Sequence, residues 1–248
     1  MISSPSNPHV KDLRSLRDTP RVRRSERSLF VEGVRLVSTA LQAGAALRLA
    51  LFAPEQLQAT PEGSALLAEL EGRPRCHPAT PAVVAAVAWP ELEPQPGLRL
   101  VLDGLQDPGN VGTLLRSAEA AGVGLVLGAR GGADVYSPKV VRAAMGAHFS
   151  LPLRADLEWD AIGAELGSCP LVYAADAEAT MPYFAADWRQ PAALIVGSET
   201  RGLSEEGQAW ATHRIAIPMA GRAESLNAGV AGSVILFEAL RQRTRGRT

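Results

Sequence analysis

Arg214–Arg243 reads RIAIPMAGRAESLNAGVAGSVILFEALRQR, and the order of residue types within it decides the fold. A short apolar run, Ile215-Ala216-Ile217, is stopped by Pro218. A polar, glycine-containing loop follows from Ala220 to Asn227, and Ala228–Leu240 has the composition of a helix. Val230, Val234, Phe237 and Leu240 recur at roughly helical spacing and are expected to face a core. Ser225 and Asn227 stand just before that helix, where capping side chains are expected. A strand therefore delivers a loop, and the loop delivers backbone N–H groups and polar side chains to a helix N-terminus. Such a place suits a polar or charged ligand.

Upstream, four more apolar runs repeat the pattern: LRLVLDGL (98–105), VGLVLG (123–128), PLVYAAD (170–176) and AALIVGS (192–198). Helical segments separate most of them. Continuous apolar strands alternating with helices argue for an α/β domain whose parallel sheet is covered on both faces. Ligands of such sheets bind beyond the carboxyl ends of the strands. Further upstream, WPELEPQPG (89–97) has three prolines and no periodicity, and reads as a linker.

Before the linker, a smaller α/β domain of about ninety residues is expected. Lys11–Arg17 reads as a short helix, and Phe30–Ala43 as an amphipathic helix carrying Val34, Val37 and Leu41, with Gly44 as its stop. Leu47–Ala53 reads as a strand, Pro61–Leu70 as a helix, the segment around Cys76 as a short strand and Pro81–Ala88 as a helix. The expected domains are 1–92 and 98–248.

The 248 residues are 46% hydrophobic with a formal net charge of −1, enough for two cores and not globally basic. The charge is uneven. Residues 1–48 carry nine Lys/Arg against four acids, and the last eight residues hold four Arg and no acid. Basic ends on an otherwise acidic body point to a polyanion partner. Cys76 and Cys169 are isolated, with no ligand spacing around them, so neither a metal nor a disulfide framework is indicated. No apolar run approaches the ~20 residues needed to span a bilayer, and the polar N-terminus is not a signal peptide. A cytoplasmic location fits these features.

Three loops carry the candidate chemistry. In DGLQDPGNVGTLLRSAEAAG (103–122), Asp107-Pro108-Gly109 forms a turn, Asn110 is placed to cap the helix starting near Val111, and Arg116 lies a turn and a half into it. In VGSETRGLS (196–204), Gly197 and Gly202 allow close backbone approach, and Glu199 is an acid in a tight loop. The third is the stretch quoted first. Taken singly, each is also what a capped helix or a strand-to-helix turn looks like. No phosphate-binding P-loop occurs, GVGLVLG (122–128) leads into a strand rather than a helix, and the four His spell no nucleophile motif.

Taken together, DPGNVGTLLRSAEAAG (107–122), IVGSETRGLS (195–204) and IAIPMAGRAESLNAGVAGSVILFEALR (215–241) resemble the three motifs of the SpoU (TrmH) family, RNA ribose 2′-O-methyltransferases of the SPOUT superfamily. SPKVVRAAMGAHFSLPL (137–153) is also similar to that family. The first ninety residues, with VEG at 31–33, look like the ribosomal-protein-L30e-like substrate-binding domain that often precedes it. The resemblance implies a SPOUT α/β domain with a deep trefoil knot, homodimers, and S-adenosylmethionine held in a bent conformation. Positions matching Gly197, Ile217, Met219 and Leu226 would bind the cofactor. Asn110, Arg116, Glu199, Ser225 and Asn227 would form the catalytic set, with Arg116 reaching the site of the other subunit. Arg116 and the basic Arg21, Arg23 and Arg24 would contact RNA, with ribosomal RNA favoured and no metal required. The family's third motif usually continues SLN with Val and Ser. Here Ala228 and Gly229 stand instead, a smaller pair expected to loosen the helix start or widen the pocket. A tRNA methyltransferase and a non-catalytic ribosome-assembly factor of the same fold are the alternatives.

Overall fold

The computed structural model describes residues 1–80 and 83–245. The chain opens with α1 (Pro8–Asp18), α2 (Pro20–Glu26), β1 (Ser28–Glu32), α3 (Val34–Gln42), β2 (Leu47–Phe52), α4 (Pro54–Leu57), α5 (Pro61–Leu70), β3 (Cys76–Pro78) and β4 (Val83–Ala88). It continues through β5 (Arg99–Asp103), α6 (Pro108–Ala120), β6 (Leu125–Ala129), α7 (Pro138–Ala143), β7 (Leu153–Leu157), α8 (Trp159–Leu166) and β8 (Leu171–Ala175). Last come β9 (Met181–Pro182), β10 (Ala192–Gly197), α9 (Glu205–Trp210), β11 (His213–Ala216) and α10 (Ala228–Arg245).

The chain folds as two compact units, one of Met1–Glu91 with Tyr136–Phe149, the other of Leu92–Val135 with Ser150–Thr248. The first is built on a four-stranded sheet in the order β1-β4-β2-β3, with β4 antiparallel to both β1 and β2. Side chains alternate across a strand, so Leu29, Val31, Ala50 and Phe52 join one core with Leu66 and Leu70 of α5. Phe30, Leu49 and Leu51 join a second with Leu13 and Leu16 of α1. Val141 of α7 and Phe149 complete the first of these cores. Two expectations fail here. Ser28–Glu32 is a strand, separated from α3 by Gly33 at φ +96°. Val83–Ala88 is also a strand, because pairing on both edges overrides the helix propensity of its alanines. Pro81 and Ala82 lie outside the described residues. Gly44 ends α3 as expected, at φ +73°.

The second unit is a seven-stranded sheet in the order β7-β6-β5-β10-β8-β11-β9, parallel at every pairing. All five apolar runs are strands in it. It gains β7 and the two-residue β9, which are too short or too exposed to stand out in the sequence. On one face Val101, Leu125 and Ile195 pack with Ile162 and Leu166 of α8. On the other, α10 lies on α6 and β10, and Gly232 makes this possible: a Cβ there would meet Leu114 Cδ2 at 2.4 Å and Val196 Cγ2 at 3.2 Å. The buried side of α10 is therefore Gly232, Ile235, Leu236 and Ala239. Val230 and Phe237, expected inside, are 46% and 49% exposed.

Candidate functional site

In a parallel sheet every strand ends on the same edge. Register places Gly197 of β10 beside Asp103 of β5, Val196 beside Ala175 of β8, and Ile215 of β11 beside the same Ala175. The segments leaving these ends enclose a cleft of about 710 Å³. Gly197, Ile217, Met219 and Leu226 all line it, and so do Glu199, Ser225 and Asn227. Residues far apart in sequence are thus brought to one place by strand order.

Gly197 is the tightest point. A Cβ on it would lie 2.6 Å from the carbonyl carbon and oxygen of Gly202 and 2.8 Å from Leu203 N, so only glycine fits. The cause is the sharp turn that follows. Ser198 and Gly202 exchange backbone hydrogen bonds of 2.8 and 2.9 Å, with Gly202 at φ +68°. Glu199, on that turn, accepts from Asn110 Nδ2 at 2.5 Å. Asn110 is buried and does not cap α6. Asp107 does, accepting the Asn110 N–H at 2.8 Å, which frees the Asn110 side chain to hold Glu199. Asn227 caps α10 as expected, accepting the Val230 N–H at 3.2 Å, whereas Ser225 is exposed on the cleft wall. Gly229 fits closely rather than loosely: a Cβ there would stand 3.2 Å from Asn110 Cα, Asn110 Oδ1 and Asn227 Oδ1. Gly229 therefore admits Asn110 to the helix start, and Ala228 lines the cleft.

Two acids at the site escaped the sequence reading. Asp176 accepts from Arg214 Nη1 at 3.0 Å, and both line the cleft. Asp103 is 3% exposed, and its Oδ2 accepts the Ser204 N–H at 2.7 Å. Burial pushes the Asp103 carboxyl above its ordinary range, against the pull of Ser204. The signal was an acid closing the run LRLVLD, where the parallel-sheet rule already placed the ligand edge.

Arg116 is not in the cleft of its own chain. It is exposed on α6, with no hydrogen bond or ion pair among the described residues. Of the basic residues expected to meet RNA, Arg21 and Arg24 are exposed in the first unit, but Arg23 is 3% exposed. Its Nη1 donates to the carbonyls of Leu16 and Arg17 at 2.8 Å, so it pins the corner between α1 and α2 rather than facing a polyanion. The basic tail is similarly engaged. Arg241 pairs with Glu238 at 2.6 Å, and Arg243 Nε donates to the Trp188 carbonyl at 2.6 Å. Arg247 lies outside the described residues. Among those described, no cluster of three or more His, Cys, Asp or Glu is placed to hold a metal, and no helix is long and apolar enough to cross a membrane.

Residues 97–237 match the SpoU rRNA Methylase family, and residues 7–88 match the MRM3-like substrate binding domain. The 23S rRNA (uridine(2479)-2′-O)-methyltransferase of Streptomyces viridochromogenes is 35% identical over 88% of this chain and 84% of its own length. The 23S rRNA (guanosine(2553)-2′-O)-methyltransferase RlmP of Bacillus subtilis is 30% identical over 95% of this chain and 97% of its own. The crystal structure of the SpoU methyltransferase AviRb from S. viridochromogenes, in complex with the cofactor AdoMet, superposes with a TM-score of 0.82. It is 32% identical and covers 97% of this chain and all of its own.

Proposed function

This chain belongs to the SpoU rRNA methylase family, and we propose on that premise that its cleft holds S-adenosylmethionine while a ribose 2′-hydroxyl of ribosomal RNA is methylated beside it. The observation that carries the reading is the meeting of three strand ends around one cleft whose floor, Gly197, tolerates no side chain. The cleft fits the cofactor. Main-chain groups at Gly197, Ile217 and Leu226 would hold it, with Met219 beside them on the cleft wall, and the Ser198–Gly202 turn would fix the floor. When bound, S-adenosylmethionine supplies a methyl group already activated by its sulfonium.

What remains for the protein is chiefly alignment of the hydroxyl. Ser225 and Asn227 line the side where the ribose would lie, and the Asn110–Glu199 bond ties the start of α6 to the turn that follows β10. Arg116 orients the 2′-oxygen and a neighbouring phosphate through its two-pronged guanidinium. A guanidinium keeps its protons at any ordinary pH, so it directs rather than deprotonates. Its exposure and its absence from the lining of its own cleft are the reason to assign it to the site of a second copy. The outward face of α10, with exposed Val230 and Phe237, is the surface through which two copies would pair. Because α10 lies on α6, such pairing would bring Arg116 to the partner. Arg21 and Arg24 would contact the RNA backbone. The same reading puts the enzyme in the cytoplasm, where both free cysteines would stay reduced.

The deciding experiment transfers labelled methyl from S-adenosylmethionine to unmodified total RNA, with wild type and Arg116→Ala compared and products separated by size and digested. Label as 2′-O-methylnucleoside in ribosomal RNA, lost with Arg116→Ala, is expected. Label in tRNA would overturn the substrate. Tight cofactor binding with no label on any RNA or ribosomal precursor would favour the assembly factor. Full activity in Arg116→Lys would defeat the two-pronged role.

A further inference from the structure

One buried acid beside this cleft has no part in the reaction as described. Asp103 closes β5 in register with Gly197. Its Oδ2 reaches forward to the Ser204 N–H at 2.7 Å, gripping the far end of the loop that leaves β10. The near end of that loop is gripped from the opposite direction, by Asn110 Nδ2 on Glu199 at 2.5 Å. The two bonds cross. The end of β5 holds the end of the β10 loop, and the first turn of α6 holds the start of the β10 loop. Gly207 admits the Asp103 carboxylate to this position, since a Cβ on it would stand 2.5 Å from Oδ2. The Asn110 grip falls on the Ser198–Gly202 turn itself, which packs against Gly197, and the Asp103 grip falls just beyond it.

We propose that Asp103 is a positioning residue for the cofactor: with the Asn110–Glu199 bond it forms a crossed latch that fixes the Gly197–Ser204 backbone in its binding arrangement before the ligand arrives. The inference rests on the cleft being the S-adenosylmethionine site. Asp103 touches backbone and not the reacting atoms, so it governs affinity rather than turnover. Ordering a loop in advance removes that cost from binding.

The test uses the full chain with Asp103→Ala and Asp103→Asn. Asparagine keeps a carbonyl oxygen for Ser204 N–H, and alanine keeps nothing. For Asp103→Ala, the Kd and KM for S-adenosylmethionine are expected to rise about 10- to 100-fold, the range for losing a hydrogen bond to a charged group. Its kcat at saturating cofactor should stay within about twofold of wild type, because no group at the reacting atoms changes. Asp103→Asn should bind close to wild type, and exchange of the Ser204 amide in Asp103→Ala should quicken with the loss of affinity. Unchanged affinity in a folded Asp103→Ala overturns the latch, as does equal loss in both variants. If Asp103→Ala does not fold, the wild-type amide decides: a Ser204 N–H that exchanges as fast as an unprotected loop amide overturns the proposal, and a protected one supports it. Wild type that binds no S-adenosylmethionine overturns the function of the cleft instead, and leaves the Ser204 measurement to judge the latch.

Discussion

A methyl group on Gly197 would press on the Gly202–Leu203 peptide unit, and backbone held in a turn cannot rotate away as a side chain would. Forcing atoms into such space costs about 1–3 kcal/mol. Gly197→Ala is therefore expected to lower the melting temperature and to weaken S-adenosylmethionine binding at least about tenfold, measured by calorimetry. Asp103 predicts an unusual pH response. Burial raises its pKa, Glu206 pushes the same way, and the Ser204 N–H and Arg201 oppose them. Between the ordinary carboxylate value and the raised one, the folded chain keeps a proton that the unfolded chain has lost. Stability from this group therefore falls as pH rises through that window, opposite to a salt-bridged acid. Asp103→Asn should remove that component from the pH dependence of urea unfolding. At this scale residue types alone marked turns and caps, and it was the resemblance of the three loops to the family's motifs that singled out their residues as a site. The sequence did not yield Asp103, because an acid ending a strand looks the same whether water or a backbone N–H receives it.

Among the elements, α10 separates what periodicity settles from what it leaves open. Its apolar residues fall on two sides, Val230 and Phe237 on one, Ile235, Leu236 and Ala239 on the other. Spacing alone does not choose between them. Gly232 chooses, by allowing the helix to sit on Leu114 and Val196. Five of the seven strands of the second unit were legible for a simple reason: a strand buried on both faces is continuously apolar. β1 and β4 are buried in the same way, but LFV and VVAAVA also suit a helix, and only their pairing partners, distant in sequence, decide. The start of α10 was legible through Asn227. Asn227→Ala removes the cap on Val230 N–H and should cost about 0.5–2 kcal/mol, read from urea unfolding.

For the whole molecule, the outward face of α10 and the exposed Arg21 and Arg24 of the first unit make separate claims. If two copies pair through Val230 and Phe237, Phe237→Glu buries an unpaired charge at the interface. Sedimentation should then show a monomer, with methyl transfer lost while S-adenosylmethionine still binds. If Arg21 and Arg24 meet phosphates, the double change to Gln should weaken RNA binding. It should also flatten the dependence of log K on log salt by about 0.7–0.9 for each contact removed. Changing Arg23 should instead destabilise the fold, since its guanidinium is spent on the Leu16 and Arg17 carbonyls.

The same core that holds Val37 and Phe52 also holds Val141 and Phe149, contributed by the segment Tyr136–Phe149 far along the chain. Inheritance is blind to this. A recombination event or an engineered graft that joined residues 1–92 of one family member to the remainder of another would cross two lineages inside a single hydrophobic interior, with Val37 and Phe52 from one parent and Val141 and Phe149 from the other. The portable piece of this protein is therefore discontinuous, and a chimera that respects it must carry 136–149 along with the amino-terminal stretch.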